Sequence, residues 1–332
     1  MKILAIADAY IPLDMLKPGT QALIEAGHEV VYAEWETSSI EKLQEVNLLV
    51  EQNGPNGIEL PRDIAEQARD ADIIITQFAP ISADLIASCP NLTTIGVLRG
   101  GTENVDAEAA KNAGVTVLNT AGRNARAVAE FTVGMILSET RNIARTHAAM
   151  REHVWLKDFP NSGAIPELEG RTIGLVGAGA IGQLVMKFMS GMDAICQFYD
   201  PFQADSEYGT KVDSLDELMA SSDVVTIHSR LSPQTHHLVS RERLALMKPS
   251  AVLINTARSG LVDEAALLEA LREGRIAGAA IDTFDDEPLP ADSEWMKLDN
   301  VTITSHLAGT TLDAFVKTPK MLSRRLLEHL GQ

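Results

Sequence analysis

The stretch "LVGAGAIGQLVMKFMSGMDAICQFYD", residues 175–200, decides the fold of this chain. An apolar run ends at Val176, and Gly177, Gly179 and Gly182 then form a GxGxxG pattern directly before a segment with helical periodicity. The first glycine allows a tight turn, the second lets backbone amides approach a pyrophosphate, and the third lets the helix pack closely on the strand. The stretch therefore predicts a strand, a dinucleotide-binding turn and a helix.

The acid that closes this stretch indicates which dinucleotide binds. Asp200 ends the next apolar run, eighteen residues after Gly182, and an acid about 20 residues beyond the turn accepts hydrogen bonds from the adenosine ribose. A carboxylate there repels a 2′-phosphate, and Pro201 and Phe202 add no positive charge. A plain βα turn is the alternative interpretation of the glycines, and the flanking strand and acid disfavour it. We expect NAD rather than NADP.

Strand-like runs alternate with helical patterns on both sides of the glycine turn. The first series is "KILAIAD", "HEVVYAE", "ADIIITQ", "LTTIGVL" and "VTVLN", and the second is "RTIGLVG", "DAICQFYD", "DVVTIHS", "AVLINTA", "AGAAIDT" and "NVTITSH". Strands that alternate with helices form parallel sheets covered on both faces. The sequence therefore predicts an α/β fold with two doubly wound parallel-sheet domains.

Two further segments have helical periodicity. The segment 121–153 contains no proline and spaces its apolar residues as a helix does, which predicts one long helix. Its apolar face has two interpretations, a dimer contact and an intramolecular core helix. The last segment, "DAFVKTPKMLSRRLLEHLGQ", is also helical in pattern, and we expect it to return and cover the first domain.

Composition limits the kind of partner and the compartment. The net charge of -18 repels nucleic acid and anionic membrane surfaces, so we expect neither as a partner. Cys89 and Cys196 have neither metal-ligand nor disulfide spacing, which fits a reducing compartment and no metal site. No cleavage signal follows the first residues, and no apolar run approaches the about 18–20 residues of a membrane span. We expect a cytoplasmic protein.

Three polar residues follow predicted strands of the second series: Arg258, Glu287 and His306. The carboxyl ends of parallel strands lie along one edge of a sheet, the edge where the glycine turn holds the cofactor. A guanidinium there binds a carboxylate bidentately, and an imidazolium donates a proton to a developing alkoxide. Glu287 is suited to orient the imidazole. Taken singly, each residue fits a structural or solvated role better than a functional one, but together they predict hydride transfer to a 2-oxo acid.

At this point the chain resembles a known family, the D-isomer-specific 2-hydroxyacid dehydrogenases, which include phosphoglycerate dehydrogenase and the glyoxylate and hydroxypyruvate reductases. The resemblance runs in order through "LRGGTENVD" (98–106), "VGAGAIG" with "YDP" (176–201), "LMKPSAVLINTARSGLVDE" (246–264), "AAIDTFDDEPLP" (279–290) and "HLAGTT" (306–311). It implies a flavodoxin-like substrate domain, residues 1–119 plus 308–332, and an inserted Rossmann NAD-binding domain, residues 120–307. Catalysis is then expected in the cleft between them, and a homodimer through the helix after residue 121.

The resemblance also assigns roles to residues. It implies that Arg258 binds substrate, that His306 is the general acid and base, and that Glu287 is its partner. Backbone amides around Arg99, Gly100 and Gly101 are expected to hold the substrate carboxylate. Beside the glycine turn, the positions that match cofactor contacts are Ala180, Ile181, Asp200, Thr256, Ala257 and Asp282, the last expected near the nicotinamide carboxamide.

The chain departs from the family pattern at a few loop positions. Ser229 and Arg230 stand where many members have an apolar residue and proline, Ser259 replaces a common glycine, and Ser305 replaces the usual proline before the histidine. None of these changes removes a catalytic group. For Arg99 and Arg230 two interpretations stay open: contact with a distal hydroxyl, carboxylate or phosphate of the substrate, and a solvent-exposed or ion-paired role.

Three classes of function fit a chain with these motifs. The first is an NAD-dependent dehydrogenase of small D-2-hydroxy acids, or the reverse 2-oxo-acid reductase. The second is an NAD(H)-sensing binding protein or corepressor-like module on the same fold. The third, a different Rossmann enzyme such as an amino-acid dehydrogenase, leaves the ordered Arg, Glu and His motifs as coincidence. Because the sequence ends at residue 332, we expect no appended regulatory domain.

Overall fold

The computed structural model describes residues 1–35, 40–163 and 166–332. These residues form two compact units. The first unit comprises Met1–Arg123 with Thr311–Gln332, and the second unit comprises Asn124–Thr310. The chain therefore enters the second unit once and returns to the first.

The first unit contains a five-stranded sheet in which every neighbouring pair is parallel, in the order β2-β1-β3-β4-β5. Its strands are β1 (Lys2–Ala7), β2 (Glu29–Glu34), β3 (Ile73–Thr76), β4 (Thr94–Val97) and β5 (Thr116–Asn119). Its helices up to this point are α1 (Leu13–Glu25), α2 (Ile40–Asn53), α3 (Arg62–Ala68), α4 (Ala83–Ala87) and α5 (Ala107–Asn112), with a 3-10 turn at Pro55–Gly57. This strand order is that of flavodoxin-like folds.

The second unit contains a seven-stranded parallel sheet in the order β12-β11-β10-β9-β6-β7-β8. Its strands are β6 (Thr172–Val176), β7 (Ile195–Tyr199), β8 (Thr210–Lys211), β9 (Val224–Ile227), β10 (Val252–Asn255), β11 (Gly278–Ile281) and β12 (Val301–Ile303). Its helices are α6 (Ala125–Thr140), α7 (Ile143–Arg151), α8 (Ala180–Ser190), α9 (Leu215–Ser221), α10 (Arg241–Leu244) and α11 (Glu264–Arg272), and 3-10 turns cover Ser259–Leu261 and Glu294–Lys297. The two sheets confirm the predicted fold class, although the short strand β8 was not predicted.

Both sheets are covered on two faces, which explains their continuous apolar strands. In the first unit, alternate residues of β1 point to opposite sides: Ile3 belongs to one buried cluster with Leu16 of α1, and Leu4 belongs to another with Ile64 of α3. The strands β9, β10 and β11 are buried at every position. Within the described residues, no helix combines the length and apolarity that crossing a membrane requires.

The last helix of the chain, α12 (Leu312–His329), packs on α1 within the first unit. The two helices approach so closely at Gly19 that an added Cβ would lie 2.2 Å from Cβ of Pro319. The Ser323 hydroxyl donates a hydrogen bond of 2.8 Å to the Gly19 carbonyl. The C-terminal segment therefore returns to the first unit, as its helical pattern predicted.

The predicted single long helix at 121–153 is wrong, because the segment forms two helices, α6 and α7. Asn142 separates them in the left-handed region, with φ of 55°, a conformation that Asn tolerates better than most residues. Its buried amide donates to Asn161 Oδ1 at 2.7 Å and accepts from the Arg145 guanidinium at 2.8 Å. Helix α6 is largely buried, whereas α7 buries none of its residues.

Candidate active site

The glycine turn lies between β6 and α8, at the carboxyl edge of the second sheet. Gly177 has φ of +100°, and an added Cβ would lie 2.9 Å from the backbone of His228. At Gly182 an added Cβ would lie 2.4 Å from the Gly177 carbonyl oxygen. Gly179, by contrast, faces open space within 4 Å and precedes a helix whose first amides have no side-chain cap. Packing therefore requires glycine at positions 177 and 182, and Gly179 leaves room for a ligand at the helix N-terminus.

Asp200 follows β7 and is held at the entrance of this turn by backbone amides. Its Oδ2 accepts from the Ala178 amide at 2.8 Å, and its Oδ1 accepts from Phe202 and Gln203 at 2.8 and 3.1 Å. Partial burial raises the pKa of this carboxyl, but the three amides and the charge of Lys211 outweigh it, and the net pKa is lowered. Asp200 therefore stays ionised at neutral pH, and its Oδ2, which accepts only one of these three bonds, keeps a lone pair for a ribose hydroxyl.

Ala180 and Ile181 form the first turn of α8, and Ala180 is exposed. Thr256 and Ala257 follow β10, and the buried Thr256 hydroxyl is 2.8 Å from that of Thr132 on α6. All four positions lie at the carboxyl ends of the central strands or at the helix start, where a dinucleotide binds in doubly wound sheets. The residues present therefore fit a bound dinucleotide.

Asp282 follows β11 and is fully buried. Its Oδ1 accepts from the Thr304 hydroxyl at 2.6 Å and from the Leu307 amide at 2.9 Å, and its Oδ2 accepts from the Ala308 amide at 2.9 Å. Three of its contacts are therefore to residues around His306. Asp282 therefore holds the loop that carries the His306 imidazole. The sequence did not predict this role.

His306 and Glu287 come from two neighbouring strand ends and are in direct contact. The imidazole Nδ1 lies 2.8 Å from Oε2 of Glu287, while Oε1 of the same carboxylate accepts from the Phe284 amide at 2.9 Å. A carboxylate only accepts, so Nδ1 carries the shared proton. His306 has a left-handed backbone, with φ of 55°, and both side chains are partly exposed. The arrangement orients the ring and leaves Nε2 available for proton exchange.

Arg258 follows β10, the strand next to β11 in the sheet. The Asn255 side chain shapes this loop, because its amide donates to the Arg258 carbonyl at 2.9 Å and its oxygen accepts from the Ala257 amide at 3.1 Å. The Arg258 guanidinium is exposed and donates one bond, of 2.6 Å, to the Ala257 carbonyl. Its other donors stay available for an anion. Arg258, Glu287 and His306 thus follow three adjacent strands at one sheet edge.

A second histidine, His228, lies at the same edge after β9 and was not considered from the sequence. Its Nε2 is 3.0 Å from the Thr226 hydroxyl, and burial lowers its pKa to about 3. This imidazole is therefore neutral at physiological pH and cannot supply a proton there. The partly exposed His306, with a carboxylate partner, is the residue suited to that chemistry.

Arg99, Gly100 and Gly101 follow β4 in the first unit. The Arg99 guanidinium donates to Asn47 Oδ1 at 2.6 Å, lies 3.3 Å from the Glu103 carboxylate, and stacks 5.0 Å from the centre of the Phe78 ring. The Gly100 carbonyl accepts from the Asn119 side chain at 2.7 Å. Arg99 therefore has partners within its own unit. Arg230, in the second unit, is exposed.

The chain matches the family model "D-isomer specific 2-hydroxyacid dehydrogenase, NAD binding domain" over residues 133–308. It is 39% identical over 280 residues to a glyoxylate reductase of Thermofilum pendens, covering 82% of this chain and 81% of that protein. It is 38% identical over 258 residues to a D-3-phosphoglycerate dehydrogenase of Methanocaldococcus jannaschii, covering 76% of this chain and 48% of that longer protein.

Among solved structures, the D-lactate dehydrogenase of Lactobacillus jensenii with NAD+ superposes on the chain with a TM-score of 0.74 and 27% identity. The match covers 100% of this chain and 98% of that one. The fold and the strand-end residues define an NAD-dependent oxidoreductase. The chain belongs to the D-isomer specific 2-hydroxyacid dehydrogenase family. These relatives favour the enzyme over the binding-protein alternative.

Proposed function

We propose that the protein reduces a small 2-oxo acid to the D-2-hydroxy acid and catalyses the reverse oxidation, with Arg258, Glu287 and His306 at the reacting end. The observation that carries the proposal is the 2.8 Å contact between His306 Nδ1 and Glu287 Oε2. It orients an imidazole that is partly exposed and can exchange protons through Nε2. Glyoxylate, hydroxypyruvate and phosphoglycerate-like acids are the candidate substrates, since relatives carry those names.

In the reductive direction His306 Nε2 donates a proton to the carbonyl oxygen at C2, and it takes that proton back in the oxidative direction. Glu287 accepts from Nδ1 and stabilises the imidazolium before the transfer. Arg258 binds the substrate carboxylate through its free guanidinium donors, which fixes C2 for reaction. We also propose the backbone amides around Arg99, Gly100 and Gly101 as substrate-binding groups.

NADH supplies the hydride that reaches C2. We propose that Gly177, Gly179 and Gly182 accommodate its pyrophosphate, with Ala180 and Ile181 at the helix N-terminus. Asp200 accepts hydrogen bonds from the adenosine ribose, supported by its lowered pKa and its amide-held orientation. Thr256, Ala257 and Asp282 complete the cofactor-binding set along the same sheet edge. Asp282 is additionally supported as a residue that positions the His306 loop.

The test is NADH oxidation by the purified protein with a panel of 2-oxo acids: glyoxylate, hydroxypyruvate, its phosphorylated form and longer sugar-derived acids. We expect turnover of at least one, with a product of D configuration by chiral chromatography. A protein that binds NADH but reduces none of the panel contradicts the proposal and favours an NAD(H)-sensing role.

We propose that the first unit is the substrate domain and the second unit the NAD-binding domain. We further propose a homodimer formed through the segment after residue 121. The support is that α7 buries none of its residues, and that Ile143 at its start and Trp155 beyond its end are 56% and 75% exposed. Apolar side chains clustered in one exposed segment are typical of a protein interface. A second copy of this chain would cover them.

The dimer is tested by light scattering coupled to size-exclusion chromatography. Trp155→Asp is expected to shift a dimer towards monomer, whereas the control Phe202→Asp, at a side chain that is 96% exposed elsewhere in the second unit, leaves the mass unchanged. A monomeric wild-type protein at micromolar concentration contradicts the proposal.

We also propose a cytoplasmic location. The support is that Cys89 and Cys196 are both free and buried, and that burial raises the pKa of the Cys196 thiol to about 11. Such thiols are unreactive and persist in a reducing compartment. Fractionation of cells that produce the protein tests the location.

A further inference from the structure

Helix α6 packs against β10, the strand that leads directly into residues 256–258, which we call the Arg258 loop. Ile136 of α6 and Ile254 of β10 belong to the same buried cluster. On the same helix Thr132 is fully buried, and its hydroxyl contacts that of Thr256 in the Arg258 loop. The contact lies within the second unit, two residues before the arginine.

The hydrogen bond between Thr132 and Thr256 has a defined direction. The two hydroxyl oxygens lie 2.8 Å apart. The Thr132 oxygen also lies 2.8 Å from the Val128 carbonyl, which only accepts, so the single hydrogen of the Thr132 hydroxyl is donated there. The hydrogen between the two threonines is therefore that of Thr256, and Thr132 accepts it.

The Thr256 hydroxyl depends on this acceptor. Thr256 is 5% exposed, so bulk water does not take the place of Thr132. Among the described residues, Thr132 supplies the one hydrogen bond of the Thr256 hydroxyl. A buried donor without an acceptor costs more free energy than an ordinary hydrogen bond contributes. Removing the Thr132 oxygen therefore favours conformations in which the Thr256 side chain turns away from α6.

The Arg258 loop is held at two places. The Asn255 side chain accepts from the Ala257 amide at 3.1 Å and donates to the Arg258 carbonyl at 2.9 Å. These two bonds shape the loop but join residues that are close in sequence. The bond from Thr256 to Thr132 joins residues 124 positions apart and attaches the loop to α6. Asn255 thus sets the shape of the loop, and Thr132 sets its place against the helix.

We propose that Thr132 is a positioning residue for substrate binding, which acts through Thr256 to hold the Arg258 loop on α6. This inference rests on the proposed function, because there Arg258 binds the substrate carboxylate. Bidentate binding of a carboxylate depends on the orientation of the guanidinium, so a displaced loop binds substrate more weakly. Proton transfer is less affected, because His306 follows another strand and is held by Glu287.

The experiment measures KM and kcat at saturating NADH, with the 2-oxo acid that the wild type reduces best. Thr132→Val replaces the hydroxyl by a methyl group of similar size. We expect KM to rise about fivefold or more and kcat to change by less than about twofold. Thr132→Ser keeps the accepting oxygen, and its KM is expected to stay within about twofold of the wild-type value.

Thr140→Val is the matched control. Thr140 is another buried threonine of α6, and its hydroxyl donates to the Ile136 carbonyl at 2.7 Å, as that of Thr132 does to Val128. Among the described residues this is the one bond of the Thr140 hydroxyl, so the variant loses a bond within the helix and none to the Arg258 loop. We expect an unchanged KM. A rise in KM equal to that of Thr132→Val would show a general effect of the helix and overturn the inference.

Hydrogen exchange measured by mass spectrometry tests the loop without turnover. In the free full-length protein, Thr132→Val is expected to exchange faster than wild type in peptides that cover residues 255–262, because the loop opens more often. Thr132→Ser and Thr140→Val are expected to leave these peptides unchanged. If Thr132→Val does not fold, Thr256→Val removes the same hydrogen bond from the other side and is expected to give the same rise in KM.

An unchanged KM in Thr132→Val, with or without faster exchange of the loop, would overturn the inference, as would a loss of kcat as large as the rise in KM. Arg258→Met separates these outcomes from failure of the proposed function. A raised KM or lost turnover in Arg258→Met, together with a wild-type KM in Thr132→Val, contradicts the inference alone. An unchanged KM in Arg258→Met contradicts the proposed function, on which the inference depends.

Discussion

His306 Nδ1 lies 2.8 Å from Oε2 of Glu287, across the ends of two adjacent parallel strands. Nδ1 donates its hydrogen to the carboxylate, which leaves Nε2 as the ring atom available for proton exchange.

His306→Ala is expected to lower kcat by about 10²- to 10⁴-fold, because the variant lacks the group that protonates the developing alkoxide. The Kd of NADH should change by less than about threefold, since the imidazole acts only as the transition state forms. Steady-state kinetics and fluorescence titration of NADH measure the two effects. His329→Ala, an exposed histidine of α12, is the control. Equal losses in kcat and in NADH binding would contradict the acid–base role.

Glu287→Gln keeps an oxygen for the Phe284 amide and removes the negative charge that faces the imidazole. We expect kcat to fall by about 10²-fold with little change in KM, because the imidazolium loses its ionic partner while substrate binding does not. Asp286→Asn removes a charge from the neighbouring exposed residue and is the matched control. A loss of the same size in both variants would mean that the loop charge matters and the His306 contact does not.

Asp200→Ala is expected to lower the preference for NADH over NADPH at least tenfold, about 1.4 kcal/mol, because a carboxylate no longer opposes the 2′-phosphate. The measured quantity is the ratio of kcat/KM for the two cofactors, which is insensitive to a general loss of active protein. Asp205→Ala serves as control. An unchanged ratio would show that Asp200 does not bind the ribose.

Burial raises the pKa of Asp8 to about 6 from 3.8, against the opposing effects of the Ile11, Tyr10 and Phe78 amides and of Arg123. The folded protein therefore holds this proton more tightly than the unfolded chain. The contribution of Asp8 to stability is present below about pH 4 and falls by about 3 kcal/mol as the pH rises through about 6.

Asp8→Asn lacks this titration. Its Tm relative to the wild type is therefore expected to increase from pH 4 to pH 7, and thermal unfolding at several pH values measures the difference. A constant difference across this range would show that the carboxyl titrates normally in the folded protein.

Arg145 Nη2 donates to both carboxylate oxygens of Glu139, at 2.7 and 2.8 Å, and the Glu139 side chain is fully buried. Arg145→Met leaves that carboxylate with the Thr302 hydroxyl as its one side-chain partner among the residues that the structure describes, and an uncompensated buried charge costs about 3–5 kcal/mol. We expect the Tm of the second unit to fall by roughly 10 °C. Arg126→Met breaks the exposed pair with Glu130 and should cost less than about 1 kcal/mol. Similar effects of the two variants would contradict this role for the buried pair.

Local sequence patterns predicted the strands, the glycine turn and three residues of the candidate site. The apolar runs of the chain predict the parallel strands. A strand that is buried on both faces of its sheet consists of consecutive β-branched and aliphatic residues, without alternating polar ones. Gly177 and Gly182 could be singled out for a backbone reason that the structure makes explicit, since a Cβ at either would collide with neighbouring backbone. Arg258, Glu287 and His306 could be proposed together because parallel strands share one carboxyl edge.

Other features depend on contacts between residues distant in the sequence. The spacing of apolar residues did not predict the break at Asn142. The break is stabilised by hydrogen bonds that the buried Asn142 side chain forms with Asn161 and Arg145, which hold this residue in the left-handed region between the two helices. From the sequence Asp282 was expected to contact the cofactor, whereas the structure shows its buried oxygens accepting from the backbone beside His306, 25 residues later. No spacing rule predicts either contact.

The sequence by itself determined the fold class, the family and NAD as the cofactor, because each depends on residue type and on spacing along one strand or turn. Only the tertiary structure decided that His306 faces Glu287 and that the imidazole of His228 stays neutral at physiological pH. Protonation and hydrogen bonding depend on what surrounds a side chain in three dimensions, and those neighbours come from strands far apart in the chain.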